Sequence, residues 1–273
     1  MAIHKRIKTV TIHGILLMLA VIMAFPFFYL LKLSLQPDAD VMQLPIKFVP
    51  TKLMLSNFVG VLKQVPIGEQ LMNTLIYAIS TSFFTVFTGA FAAYALAKLY
   101  LPGARWLTLF FISTMLLPPE VRAIPMYTMM ADLGWVDTWK GMILPLASTG
   151  FAIFFLYQYM ITIPDEMMEA ARIDGASEFQ ILWSIILPVS STAIFTMGLY
   201  NFLFRWRGFI WPLVMTKGSV TTLPVGLSAL KRSEFLLQWN LISAGTMFSF
   251  IPSLLIFLAL RRYIMSAVAV EFK

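Results

Sequence analysis

The sequence predicts an all-α, polytopic membrane protein of about six transmembrane helices. Three observations predict it. Of the 273 residues, 59% are hydrophobic and only 12% charged, against about a quarter charged in an average soluble domain. The mean hydropathy is +0.82, and the apolar residues gather into charge-free runs. A soluble core could not absorb this apolar fraction without exposing large patches. A single membrane domain over residues 1–273 is the simplest organisation.

A bilayer core about 30 Å thick needs about 20 apolar helical residues. Five charge-free runs are long enough: Thr9 to Leu31, Leu71 to Ala97, Gly141 to Pro164, Ile181 to Phe204, and Phe235 to Leu260. A sixth, Trp106 to Pro119, has only 14 residues and reads as a short or proline-broken span. The first run exceeds the core of a signal peptide and no small-x-small site follows it, so it reads as a retained span. Residues 34–70 carry Pro37, Pro45, Pro50 and Pro66 and read as an ordered outer loop with short elements.

Six spans put both termini on one side. Lys5, Arg6 and Lys8, then Lys98 and Arg105, then Arg261 and Arg262 would make that side cytoplasmic. The presumed outer segments hold Lys47, Lys52, Lys63, Arg122, Lys217, Lys231 and Arg232, which counters the bias. The net charge of +7 forms no dense patch, so nucleic acid is set aside. With no cysteine and only His4 and His13, a transition-metal site is not expected.

One connection differs from the others. From Ile163 to Pro188, Pro164 with Asp165 and Glu166 suits a helix start, Gly175 a helix end, and Ser177 with Gln180 a capping box. The expected result is a short helix, a tight turn and a second helix running into the next span. Ala170 and Ala171 permit close approach, while Glu169, Arg172, Asp174 and Glu178 offer charge to an aqueous partner. A helix merely lying on lipid is the competing reading, but it would favour Lys, Arg and bulky apolar residues over this acidic, alanine-rich pattern.

Glu169-Ala170-Ala171, Gly175, Ile185 and Leu187-Pro188 match E-A-A-x3-G-x9-I-x-L-P, and here the chain resembles the permease subunits of ABC importers. Asn73, Leu117-Pro118-Pro119, Asp137-Thr138-Trp139, Ile143-Leu144-Pro145 and Thr222-Leu223-Pro224-Val225-Gly226-Leu227 extend the likeness to the shorter, maltose-G-like subunit of the carbohydrate-uptake branch. The resemblance implies a type I importer fold in the bacterial cytoplasmic membrane. It makes 164–188 a cytoplasmic coupling-helix loop seated in an ATPase subunit, through Glu169, Ala170, Ala171, Arg172, Asp174 and Gly175. It also implies a second homologous permease subunit, a dimer of ATPase subunits that bind ATP and Mg, and an extracytoplasmic solute-binding protein. This chain has no G-x4-G-K-[ST] and no cofactor of its own.

A second stretch, Tyr200 to Pro212, holds two arginines in or beside a span, which is costly unless they face a cavity or snorkel. In the family this stretch is similar to W-N-D/E-F-L-W-P. Trp206, Phe209, Trp211 and Pro212 fit, whereas Arg207 and Gly208 replace the Asn and the acid, pointing away from a neutral sugar. Asn201, Arg205, Trp206, Arg207 and Trp211 are the candidate substrate pathway, with guanidinium groups for a carboxylate or phosphate. The alternative is interfacial anchoring by Arg and Trp. Arg122 beside Glu120 is a further candidate for that path, with a loop ion pair as the competing reading.

The function expected is import of a carbohydrate, an acidic oligosaccharide or sugar phosphate among the options. A passive channel or scaffold would not need the loop at 164–188. An intramembrane enzyme lacks its chemistry here: no H-E-x-x-H, no G-x-S-x-G and no cysteine nucleophile.

Overall fold

The computed structural model describes residues 2–45, 47–231 and 238–270, and leaves aside the side chains of residues 2–7, 231, 260 and 262–270. The expectations about Lys5, Arg6, Lys231, Arg232, Arg262 and the start of the last run at Phe235 therefore lie outside the described residues or side chains. Every regular element is helical among the described residues. Three helices are long and apolar enough to cross a membrane, and three bent pairs bring the count to six if each is one span.

Contacts divide the chain into two units, one formed by Met1–Ile67 with Gly226–Pro252 and the other by Gly68–Val225 with Ser253–Lys273. The first unit holds α1, Ala2–Ser34, which from Thr9 to Leu31 is apolar all round and exposed at nearly every position. Such a helix needs lipid or another apolar chain around it. The segment after it is ordered, as its proline punctuation suggests, with one 3-10 turn and α2, Ser56–Gln64. Its organiser is Asn57, which is buried. Its Nδ2 donates to the carbonyls of Ser34 and Gln36, both 3.0 Å away, and its Oδ1 accepts from Asn240 Nδ2 at 3.2 Å.

The second unit is built on α3, Ile67–Lys98, most of which belongs to it. The short run appears as α4, Ala104–Met115, and α5, Pro119–Asp132, bent by 100° where Leu117-Pro118-Pro119 stops the helix. Two runs that look continuous in sequence are also broken. The third becomes α6, Trp139–Ile143, a 3-10 turn Leu144–Leu146 holding Pro145, and α7, Gly150–Met160, with a 42° bend. The α3 hydroxyls meet the exposed backbone at this break: Thr85 Oγ1 donates to Leu146 O at 2.9 Å and Thr88 Oγ1 to Ala147 O at 2.7 Å.

Beyond α7 come α8, Glu166–Ile173, and α9, Glu178–Ile181. A π-turn over Leu182–Ile186 and α10, Leu187–Val189, follow, then α11, Ser191–Trp206, at 75° to its predecessor. Pro188 lacks the N–H that would continue the ladder, and the hydroxyl of Tyr159 reaches the carbonyl of Val189 at 3.2 Å. The chain closes with α12, Ile210–Met215, α13, Leu223–Ser228, and α14, Trp239–Val270.

Replacing Asn57 by Ala should leave two buried carbonyls unpaired and cost about 1–3 kcal/mol. Limited proteolysis checks this, with cleavage between residues 35 and 55 rising in the variant.

Candidate functional site

The helix-turn-helix at 164–188 is present, although α8 begins at Glu166, two residues after Pro164. Asp165 sits at the cap position without capping: its backbone is already helical, and its Oδ1 is taken by Lys98. Gly175 ends the helix at φ +84, with Ala176 N–H bonded to Ala171 O and Gly175 N–H to Arg172 O. That is a Schellman closure, which wants a residue free to adopt a left-handed conformation. Ser177 and Gln180 complete a reciprocal capping box at the start of α9.

Helical periodicity divides α8 into two faces. Met168 is 1% exposed and joins a core with Tyr94, Met160, Ile163, Ile181 and Leu182, with Ala171 and Ala176 packed beside it. The opposite face carries Glu166, Met167, Glu169, Ala170, Ile173 and Asp174 into the open. Ile173, at 86% exposure, is its most prominent apolar residue.

Two polar ties fasten this projection to α3. Lys98 Nζ, on a side chain only 3% exposed, lies 2.7 Å from Asp165 Oδ1 and 2.5 Å from Ile163 O. One turn earlier, the Tyr94 hydroxyl donates to Glu178 Oε2 at 2.6 Å. Arg172 grips the same carboxylate, Nε to Oε1 at 2.8 Å and a terminal nitrogen to Oε2 at 3.3 Å. The Arg172 guanidinium first, and the Tyr94 hydroxyl second, hold the Glu178 carboxyl below the ordinary carboxylate range. Arg172 and Glu178 are therefore engaged with each other and with α3, while their side chains stay 33% and 47% exposed. Glu169 and Asp174 do point outward. Lys98 and Tyr94 went unrecognised in sequence, since a span-flanking lysine and a tyrosine within an apolar run carry no local signal of a partner far along the chain.

The second candidate stretch is divided as well. Asn201 and Arg205, four residues apart on α11, share a face and line one cavity with Trp211. Arg205 is 9% exposed, and its Nε donates to Asn201 Oδ1 at 3.3 Å. The Tyr77 hydroxyl also bonds to it. Trp211 Nε1 donates to Met142 O at 3.1 Å.

Trp206 and Arg207 do not join them. A 100° step per residue turns Trp206 into the interior at 1% exposure, and Arg207, outside the cavity lining, folds its Nε back to Leu203 O at 3.3 Å. Glu120 and Arg122 do line the cavity, and they form no ion pair with each other among the described residues. Both lie on α5, where residues two apart do not face each other, which corrects the loop ion-pair reading.

The cavity measures about 360 Å³ and also presents Thr114, Ser148, Thr149 and Tyr200. A larger groove of about 1020 Å³ between α3 and α11 is lined mainly by apolar side chains, among them Phe83, Phe87, Phe91, Phe195 and Phe202, with Ser82, Ser191 and the indole of Trp183 as its few polar groups. Charged and hydroxyl groups are concentrated in the lining of the smaller cavity.

The broken spans, the projecting helix-turn-helix and the polar cavity together define a membrane transport permease. The chain belongs to the family described as binding-protein-dependent transport system inner membrane component, which matches residues 85–270. It is 29% identical over 260 residues to the sn-glycerol-3-phosphate transport system permease protein UgpE of Brucella melitensis, covering 92% of each chain. The protein of the same name from Yersinia pestis is 27% identical over 268 residues and 95% of each chain. A chain of a bacterial ABC transporter involved in the import of the acidic polysaccharide alginate superposes with a TM-score of 0.77 at 26% identity, covering 94% of this chain and 96% of that one. Another alginate ABC transporter chain, in complex with a pentasaccharide-bound periplasmic protein, shares the fold at 16% identity and a TM-score of 0.66.

The Glu178 clamp has a defined pH dependence. Its carboxyl is held low in the folded chain, so its contribution is present above the ordinary carboxylate range and is lost as pH falls through and below that range. The protection factors of the amides across residues 166–178, exchange being taken relative to the intrinsic rate at each pH, should fall on acidification in the native chain. In a Glu178→Gln variant they should be low already at neutral pH.

Proposed function

We propose that this chain is one of two transmembrane subunits of an ATP-driven ABC importer that carries an acidic carbohydrate into the cytoplasm. The observation that carries the coupling half of this reading is the division of α8: a back bolted to α3 through Tyr94 and Lys98, and a free front of Glu166, Glu169, Ala170, Ile173 and Asp174. A rigid helix at a span junction passes rigid-body motion to what it is fastened to. The front is acidic with two exposed apolar side chains, Met167 and the more prominent Ile173, which suits a groove in a nucleotide-hydrolysing subunit. Glu169, Ala170, Asp174 and Ile173 make the contact, Gly175 makes the turn, and Ala171 and Arg172 hold the helix to its own chain.

ATP and Mg then belong to the dimeric ATPase partner. A second, homologous permease completes the membrane pair, and an extracytoplasmic solute-binding protein delivers the cargo. The α8 side is cytoplasmic, as are both termini, and residues 34–70 lie outside. The relatives' cargoes, sn-glycerol 3-phosphate and alginate, are anionic carbohydrate derivatives. Cargo of that kind supports an acidic rather than a neutral sugar here.

Ile173→Asp should weaken association with the ATPase by about 2 kcal/mol, roughly thirtyfold in affinity. Copurification of the assembled transporter measures it, and an unchanged ATPase yield together with full uptake would refute the coupling role. Lys98→Met, which keeps the stem and loses the ammonium, should leave the ATPase bound while lowering solute taken up per ATP hydrolysed. The charge swap Lys98→Asp with Asp165→Lys should restore part of that ratio.

A further inference from the structure

We infer that the cavity among α4, α5, α7 and α11 is an anion subsite, in which Arg205 and Arg122 receive a carboxylate or phosphate carried by the cargo. This rests on the transport reading and gives that cargo its place in this subunit. The lining holds two guanidinium groups and one carboxylate, Glu120, for a formal charge of +1.

The two buried cations among the described residues are treated differently. Lys98 is matched by Asp165. Arg205, also nine-tenths buried, rests on the neutral Asn201 and Tyr77, with no carboxylate within ion-pair distance among the described residues. A buried charge without a counter-charge is expensive, and inside a membrane protein it marks a pathway.

Arg122, half-buried on α5, lines the same cavity with its Nε enclosed and without a hydrogen-bond partner. The eleven-residue helix α7 also opens at this cavity, with Thr149 and Gly150 in the lining, so its first turn adds a positive end to the same space. A Cβ on Gly150 would strike Phe111 O and Thr114 Oγ1, so α4 and the mouth of α7 keep their close approach only with glycine there. At about 360 Å³ the cavity falls within the size range of small-molecule sites, roughly 300–1,000 Å³. Tyr200 and Trp211 supply aromatic faces beside the charges, and Ser148 supplies a hydroxyl.

The test uses the absence of cysteine from this chain. Ser148→Cys places one thiol in the lining of the assembled transporter, built with cysteine-free partners. Methanethiosulfonate reagents carrying a sulfonate or a trimethylammonium group are then compared, each against its rate on free cysteine. The sulfonate should be favoured by about tenfold or more, as a focused positive cleft favours anions. Arg122→Gln and Arg205→Gln should each bring the preference toward that of free cysteine. Arg205→Lys, which keeps the charge, should preserve it and shows that loss in Arg205→Gln is not misfolding.

sn-Glycerol 3-phosphate and glucuronate should slow the labelling, and glycerol should not. A sulfonate preference no greater than that of free cysteine, one that survives both neutral variants, or equal protection by glycerol would each overturn the subsite. Labelling needs neither ATP nor uptake. Its failure leaves the importer reading standing, and a failure of transport leaves this result intact.

Discussion

The ammonium of Lys98 is the constraint on which the working end of the molecule depends. It is buried at the foot of α3, where an unmatched charge would cost several kcal/mol. Asp165 and the carbonyl of Ile163 supply the match. Both belong to the stretch between α7 and α8, so satisfying one lysine fixes where α8 starts and which face it turns outward. Met168 then enters the core, and the Tyr94 to Glu178 bond closes the far side of the turn. The helix is thereby held at both ends by residues one turn apart on a single rod.

The breaks in the spans follow from a second constraint. Away from water, a proline that interrupts a helix leaves backbone groups that must be met from elsewhere. Thr85 and Thr88 of α3 meet them beside Pro145, and Tyr159 of α7 bonds to the carbonyl of Val189 beyond Pro188. These repairs let α7 begin within the bundle with its first turn at the polar cavity, and let α11 turn away from α9. The same α3 that holds the projecting helix carries Tyr77 and Ser82, which touch the Arg205 and Asn201 pair. One helix therefore borders both sites.

Much of this was legible in the residues. Charge-free runs located the membrane helices, and the family of transport permeases could be recognised from the spacing of Glu169, Ala170, Ala171, Gly175 and Leu187-Pro188. The helix-turn-helix was readable for a local reason: a glycine C′ position and a Ser-x-x-Gln box act within a few residues, so short-range chemistry suffices to specify them. Asn201, Arg205 and Trp211 were singled out together with Trp206 and Arg207, because composition draws attention to a neighbourhood and not to a face.

Sequence alone determined that the chain is a bundle of apolar helices interrupted by one acidic helical connection, since hydropathy and capping depend on near neighbours. Tertiary structure alone decided which charges are engaged and which are left open. Lys98 meets Asp165 across 67 positions, and Tyr94 meets Glu178 across 84. Arg122 and Arg205 arrive at one cavity from different helices. Such pairings depend on how the broken spans pack, and no pattern within a window of a few residues records them.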